Sequence, residues 1–390
     1  MLRRKRARYP LPCASESFPR ILWRAVLWFF LGTSLLLHAQ QADLTSPQTP
    51  AASPAPAIRP LSDANPSPPS ESEEEPNPAA TVEPAWVTSR DSEGNIRQRI
   101  KAQFDFAVSD SVRLGLLFGQ GFIYDVQSNS TGHTEGIRDL GVTGQWHPNE
   151  VVRFEGMLGV SQAGATVDAS DQSVPQSDIP ITNVHAHITP AGEIVKVDLG
   201  FERSIYDLSP KLVANRVIRN QFVVHPEIAL PSGWRLRALA EMGPMTRAGE
   251  RNTRYNAEFT AEHKLGKKSE LYSTYGTLHY AKASDAGYFS PDLVQTIEGG
   301  WTTEVDRKAF SLSLDFGSGV SHARQHADTF GPWGLSLSAQ SYLTWRVRPT
   351  HELRASYEFY YDKSNPGVES SPSAAWHMSV LTLSFHWATE

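Results

Sequence analysis

Apolar and polar residues alternate one by one along most of this chain. From Arg254 to Glu262, the residues Arg254, Asn256, Glu258, Thr260 and Glu262 alternate with Tyr255, Ala257, Phe259 and Ala261. Leu353, Ala355, Tyr357, Phe359 and Tyr361 likewise alternate with Arg354, Ser356, Glu358 and Tyr360. The same period runs through Val112–Phe118, Val195–Glu202, Trp234–Met242, Phe310–Phe316 and Leu381–Trp387. Side chains two apart share one face of a strand, so a sustained period of two predicts β-strands. The alternating runs are about ten to fourteen residues long, near the span of a tilted membrane strand and well beyond a sandwich strand. One face carries full charges and the other Leu, Val, Ala, Phe, Tyr and Trp, which suits a wet lumen inside and lipid outside.

The connections alternate too. Short ones fall at Ser109-Asp110, Pro148-Asn149, Pro190-Ala191-Gly192, Gly266-Lys267-Lys268, Asp306-Arg307 and Arg348-Pro349-Thr350. Longer polar ones are expected over 125–136, 162–180, 243–251, 282–292, 320–332 and 362–375. Runs from Ile96 to Trp387 number fifteen, and the segment Ala85–Arg90 with the turn Asp91–Asn95 supplies a sixteenth. The predicted fold is therefore all-β: a transmembrane antiparallel up-and-down β-barrel of 16 strands, with 14 as the alternative. Prolines after residue 84 fall between periodic segments or at their ends, and only Pro226 comes close to interrupting one, as expected of a residue that cannot donate to a ladder.

The N-terminal segment follows different rules. Residues 1–24 hold seven basic side chains and one acid, Glu16, followed by an apolar run from Ala25 to Leu37 and a small residue at Ala39. This reads as a secretory signal peptide over 1–39. Residues 40–84 contain eleven prolines among Ala, Ser, Thr and an acidic run, a composition that predicts a disordered tether. The barrel domain is expected over 85–390, in the outer membrane of a Gram-negative-type bacterium. Without residues 1–39 the chain carries 29 basic and 41 acidic side chains, a net charge of −12, which excludes nucleic acid as the expected partner. The single cysteine, Cys13, precludes a disulfide framework.

The opening Val87–Asn95, followed by Val112-Arg113-Leu114-Gly115-Leu116, resembles the first strands of bacterial exopolysaccharide-export barrels. Gly287-Tyr288-Phe289-Ser290-Pro291 resembles the G-Y-[FY]-S-P loop of the barrel of the cellulose synthase outer-membrane subunit; poly-N-acetylglucosamine export porins are more distantly similar. The resemblance implies a passive conduit for exopolysaccharide, set in outer-membrane lipid and served by a periplasmic or inner-membrane synthase complex. Those relatives carry tetratricopeptide arrays, and no 34-residue repeat precedes this barrel.

The residues expected to line the lumen are Glu155, Lys196, Asp198, Glu202, Arg235, Arg237, Glu241, Arg254, Glu258, Glu262, Tyr275, His279, Asp315, Arg346, Arg354, Glu358 and Tyr360. Opposed charges offer exchangeable hydrogen bonds to a polyhydroxyl chain, and Tyr275 and Tyr360 offer stacking surfaces. A general diffusion porin is one alternative. A hydrolase or deacylase using Ser273 and His279 is another, since both share a strand face. A glycosidase would need two of the many carboxylates placed about 5–10 Å apart. His185-Ala186-His187 and the His322, His326, Asp328 group are weak metal-ligand patterns; no cofactor, catalytic residue or metal site is assigned.

Overall fold

The computed structural model describes residues 78–125, 134–166, 177–190, 194–247, 249–284, 288, 290–326, 328–363 and 376–389. The expected leader and nearly all of the expected tether lie outside them. Sixteen strands run in chain order: β1 Ala80–Asp91, β2 Asn95–Ser109, β3 Val112–Asp125, β4 Thr134–Trp146, β5 Val152–Thr166, β6 Ser177–Ile188, β7 Val195–Ile205 and β8 Ile218–Ala229. They continue as β9 Trp234–Arg247, β10 Glu250–Lys264, β11 Ser269–Tyr280, β12 Leu293–Asp306, β13 Phe310–Arg324, β14 Gly334–Arg348, β15 His351–Asp362 and β16 Trp376–Ala388. Each strand pairs antiparallel with its sequence neighbours, and β1 pairs with β16 to close the barrel.

The register assigns the faces. Inward positions pair with inward positions around the whole ring, so Glu241 faces Asn256 and Arg254 faces Tyr280. Outward positions form an apolar wall that includes Leu116, Phe118, Leu140, Leu158, Phe222, Phe259, Ile297, Phe316 and Leu343. An apolar wall that size outside, with carboxylates and guanidinium groups inside, inverts the pattern of a water-soluble fold.

Three expectations are corrected. The first strand begins at Ala80, so five residues assigned to the tether belong to the sheet. The connection expected over 243–251 is not long, because β9 reaches Arg247 and β10 starts at Glu250. Prolines also enter strands: Pro84, Pro180, Pro226 and Pro244 lie within β1, β6, β8 and β9, all on the outward face. Pairing explains how they are tolerated. The β8–β9 ladder skips from Val224–Ala240 to Glu227–Arg237, which leaves Pro226 at a gap. The β1–β16 ladder skips from Val82–Trp387 to Ala85–Ser384, which does the same for Pro84.

The same β8–β9 ladder is interrupted opposite Gly243, where a Cβ would sit 1.7 Å from the carbonyl oxygen of Asn220. Only glycine permits that approach. Gly243→Val is expected to destabilise the barrel by about 1–3 kcal/mol or more through overpacking, read as a lowered unfolding temperature in detergent.

Candidate functional site

Ion pairs cover much of the inner wall, because every second residue of a strand faces inward, many of these positions are charged, and nearby inward positions supply the counterparts. Arg254 donates to Glu241 at 2.9 Å, and Asn256 Nδ2 donates to the same carboxylate at 3.0 Å. Arg235 pairs with Glu262 at 2.6 Å, and Arg237 also meets Glu262. Arg219 pairs with Glu202 at 3.3 Å. Toward the short-turn end, Arg354 bonds Glu352 at 2.8 Å and Glu83 at 3.3 Å, and Arg346 reaches Glu352 at 3.4 Å. His185 lies 3.1 Å from Asp198, and His187 lies 3.0 Å from Glu155. On the opposite wall, Tyr272 donates to Asp315 at 2.9 Å, with Glu298 at 3.5 Å, and Tyr360 donates to Glu358 at 3.1 Å.

Of the seventeen residues expected in the lumen, the register places fifteen inward: Glu155, Lys196, Asp198, Glu202, Arg235, Arg237, Glu241, Arg254, Glu258, Glu262, Asp315, Arg346, Arg354, Glu358 and Tyr360. Tyr275 and His279 are corrected. Tyr275 pairs with Phe259 and Ile297, and His279 pairs with Tyr255, all on the outward wall. The alternation of β11 splits Leu271, Tyr275 and His279 from Tyr272, Thr274 and Tyr280, and its apolar members sit on both faces. That is why the period alone misassigns it. Ser273 and His279 also point outward, and six residues of extended strand hold them about 20 Å apart. They do not form a dyad. His322 is outward too, stacked on Trp333 at 3.7 Å between ring centres. Among the described residues no three His, Cys, Asp or Glu side chains are grouped to hold a metal ion.

The feature missed by period is the connection between β7 and β8. Residues 206–217 form a compact insert rather than a simple turn, with a five-residue helix, α1, over Pro210–Ala214. Ser209 starts it: its carbonyl accepts from Leu212 N at 3.1 Å and from Val213 N at 3.3 Å, with Pro210 in the first helical position. The insert lies across the bore at the long-loop end. Leu212 packs with Tyr206, Val217, Met245, Leu278, Tyr280, Tyr288 and Val294. Val213, in the opposite direction, packs with Ile123, Ile137, Ala163, Ile179 and Ile205. Leu208 reaches the group around Trp376, Met378 and Val380 on β16. Inward positions that are charged lower in the barrel are thus apolar here, and they seat the insert.

A charged latch accompanies this packing. Asp207 takes Arg97 at 3.1 Å and Arg99 at 3.0 Å, both on β2, which is separated from β7 by four intervening strands. Arg99 also meets Asp139 on β4. Burial by itself raises the Asp207 carboxyl, but Arg97, Arg99 and Lys101 outweigh it and hold its pKa below the ordinary carboxylate value. Arg97, Arg99 and Lys101 alternate with Gln98, Ile100 and Ala102 along β2, a period of two that marks them as one face in the sequence. The Ser209-Pro210 pair ahead of Leu212-Val213 is the helix-start signal that marks the insert in sequence. Tyr288 of the G-Y-F-S-P segment is buried against Tyr206 and Tyr280, and Asn252 Nδ2 donates to its hydroxyl at 3.2 Å. Tyr288 therefore supports the insert from the β11–β12 side.

No protein-family model and no curated protein matches this sequence. Among solved structures, a bacterial polysaccharide outer membrane secretin superimposes with a TM-score of 0.56 at 12% identity, covering 81% of this chain and 100% of that one. OccD3 (OpdP) of Pseudomonas aeruginosa gives a TM-score of 0.43 at 10% identity over 80% of this chain and 91% of its own, and the CymD monoaromatic hydrocarbon channel gives 0.41 at 8% over 80% and 89%. At such identities the likeness is one of fold.

Leu212 is fully buried in the insert's seat. Leu212→Ala should loosen the insert by about 2–5 kcal/mol. Amide hydrogen exchange is expected to accelerate across 206–217 while β2 and β8 keep their protection.

Proposed function

We propose that this chain is an outer-membrane conduit that passes a hydrophilic polymer, an exopolysaccharide leaving the cell, and that the 206–217 insert holds it shut until cargo or a partner displaces it. One observation carries the reading: a closed sixteen-strand barrel with an apolar outside has a charged, hydroxyl-lined inside that is crossed at one end by a short, separately seated insert. A sixteen-strand barrel is wide enough to contain an aqueous lumen. Paired charges along the wall can exchange hydrogen bonds with successive sugar hydroxyls without binding any of them tightly. Inward tyrosines at 272, 342 and 360 add faces for sugar rings. The fold likeness to a polysaccharide outer membrane secretin supports the same reading.

The insert weighs against a general diffusion porin. A permanently open pore gains nothing from apolar seats built into its mouth, whereas a conduit for a periodic cargo needs a seal between loads. The insert's latch is one buried carboxylate, and removing one partner of such a pair costs about 3–5 kcal/mol. Polymer and synthase partners would engage the wall and the short-turn mouth.

Planar-bilayer recording tests this. The wild-type barrel is expected to conduct rarely and briefly, and Asp207→Asn to give long, stable openings. Silence from both proteins, folded and inserted, would remove the conduit. Because the folded pKa of Asp207 is depressed, the latch is fully present above the unfolded carboxylate value near 3.8 and is lost only as pH falls through the lower folded value. Wild-type closure should therefore be constant from pH 8 to about 5. Opening that begins near neutral pH would assign the gate to another group.

The lipid-facing wall has its own test. Leu158 is 63% exposed near the middle of β5. Leu158→Arg should cost about 2–4 kcal/mol of stability in lipid vesicles, measured by denaturant titration.

A further inference from the structure

The outer wall is uneven in charge. Among the described residues, the ionic side chains at outward strand positions are Arg90, Arg138, Asp178, Arg203, Arg251 and Arg324, together with Arg348, which the bulge near the end of β14 sets opposite outward His351. All but Arg348 lie within five residues of their strand's long-loop end. Among the described residues, the outward strand positions at the short-turn end carry Trp146, Trp234, Phe310, Trp345 and Trp387, and a single ionic side chain, Arg348. One rim of the apolar wall is thus bounded by guanidinium groups and the other by indoles.

Pairing differs between the faces as well. Inside, Arg97, Arg99, Arg235, Arg237, Arg254 and Arg354 each meet a carboxylate. Outside, no carboxylate of the described residues pairs with Arg90, Arg138 or Arg251. Arg203 is spent on the Pro180 carbonyl and Asn220 Oδ1, and Arg324 pairs with Asp292 at 2.6 Å while lying 4.9 Å over the Phe330 ring. A guanidinium stays charged at any accessible pH, so on a lipid-facing wall one without a carboxylate, as at Arg90, Arg138 and Arg251, demands an anion at the headgroup level. The richest sector spans β10–β13. There Arg251 and Arg324 flank His279 and His322, with Tyr255, Phe330 and Trp333 beside them, which places cationic groups next to an aromatic ledge.

We propose that this rim binds the phosphate groups of an anionic lipid in the leaflet at the long-loop end, with the β10–β13 sector as its main seat. The aromatic ledge meets the upper acyl chains while Arg251 meets phosphate with its whole guanidinium and Arg324 with the N–H groups that Asp292 leaves open. The inference rests on the membrane-spanning reading but not on conduction, so a silent barrel in the bilayer assay leaves it standing. A lipid that binds here biases the depth and the orientation of the barrel, because the outward strand positions of the opposite rim hold one guanidinium, Arg348, against five here.

The test uses the whole purified chain in nonionic detergent. Diphosphoryl lipid A, phosphatidylglycerol, phosphatidylcholine and inorganic phosphate are titrated separately, and retained lipid is read by native mass spectrometry alongside the unfolding temperature. Lipid A and phosphatidylglycerol are expected to be retained and to raise that temperature, and phosphatidylcholine to do neither. Arg251→Gln combined with Arg324→Gln should weaken lipid A retention about tenfold or more, with an unchanged unfolding temperature in lipid-free detergent. The corresponding double Lys variant should keep most of the binding, and it serves as the comparison if the Gln variant fails to fold. Equal retention by wild type and the Gln variant, or equal retention of phosphatidylcholine, would overturn the proposal. So would displacement of lipid A by millimolar inorganic phosphate, which would make the rim a site for the free ion. A chain that never enters vesicles would instead remove the membrane reading beneath both this inference and the conduit.

Discussion

The whole structure depends on the closing seam between β1 and β16. In hydrocarbon an unpaired backbone N–H or C=O has no water to turn to, so a sheet survives there only if its two edges meet. Nine residue pairs join β1 to β16, and they recruit residues from the proline-rich side of the chain to do it. Pro84 leaves a gap in that ladder, and the inward side chain next to it covers the gap: Glu83 accepts from Arg354 on β15 and meets His386 on β16. The seam is thus held by backbone bonds above and below and by a three-group charge cluster at its weakest point. Once the ring is closed, inside and outside are defined for every strand, and the charge pattern of both walls follows.

Two kinds of interior then share one cylinder. The lower wall is a mesh of short ion pairs whose members come from the same strand, adjacent strands or the next strand but one. Each pair offsets the cost of facing its charges inward but seals nothing across the bore. Near the long-loop end the wall turns apolar, and there the insert supplies the missing half of a hydrophobic core. This division explains how a barrel broad enough for water has fully buried residues such as Leu212 and Val213 inside it. A charged wall alone would leave the insert nothing to sit on, and an apolar wall throughout would leave the bore no polar lining.

The strand count, antiparallel order and most inward residues were legible in the sequence because a barrel repeats one simple rule, alternation, against two very different solvents. The rule fails where both neighbours of a residue are apolar. β11 is such a case: Leu278 and Tyr280 turn inward to meet the insert, and the apolar side that the pattern marks as outward is no longer the only one, so Tyr275 and His279 were read on the wrong wall. Prolines misled for a related reason. Their cost to a ladder is real, but an outward ring placed at a gap satisfies the lipid side, so Pro180 and Pro244 stand inside strands where a boundary was expected. The insert was overlooked because period-two reading treats whatever lies between strands as connection. Its seat is formed by residues from many strands, and no local window contains that information.

The neck of the insert has a mechanical meaning. Tyr206 N donates to the Val217 carbonyl at 2.8 Å, so both ends of the segment leave the sheet side by side, as in a compact surface loop whose feet are clamped together. Such a flap can swing about its stem without unzipping a single rung between β7 and β8. The ring keeps its circumference whichever way the flap lies, and the work of moving it is confined to peeling a few aliphatic groups and one carboxylate from their sockets.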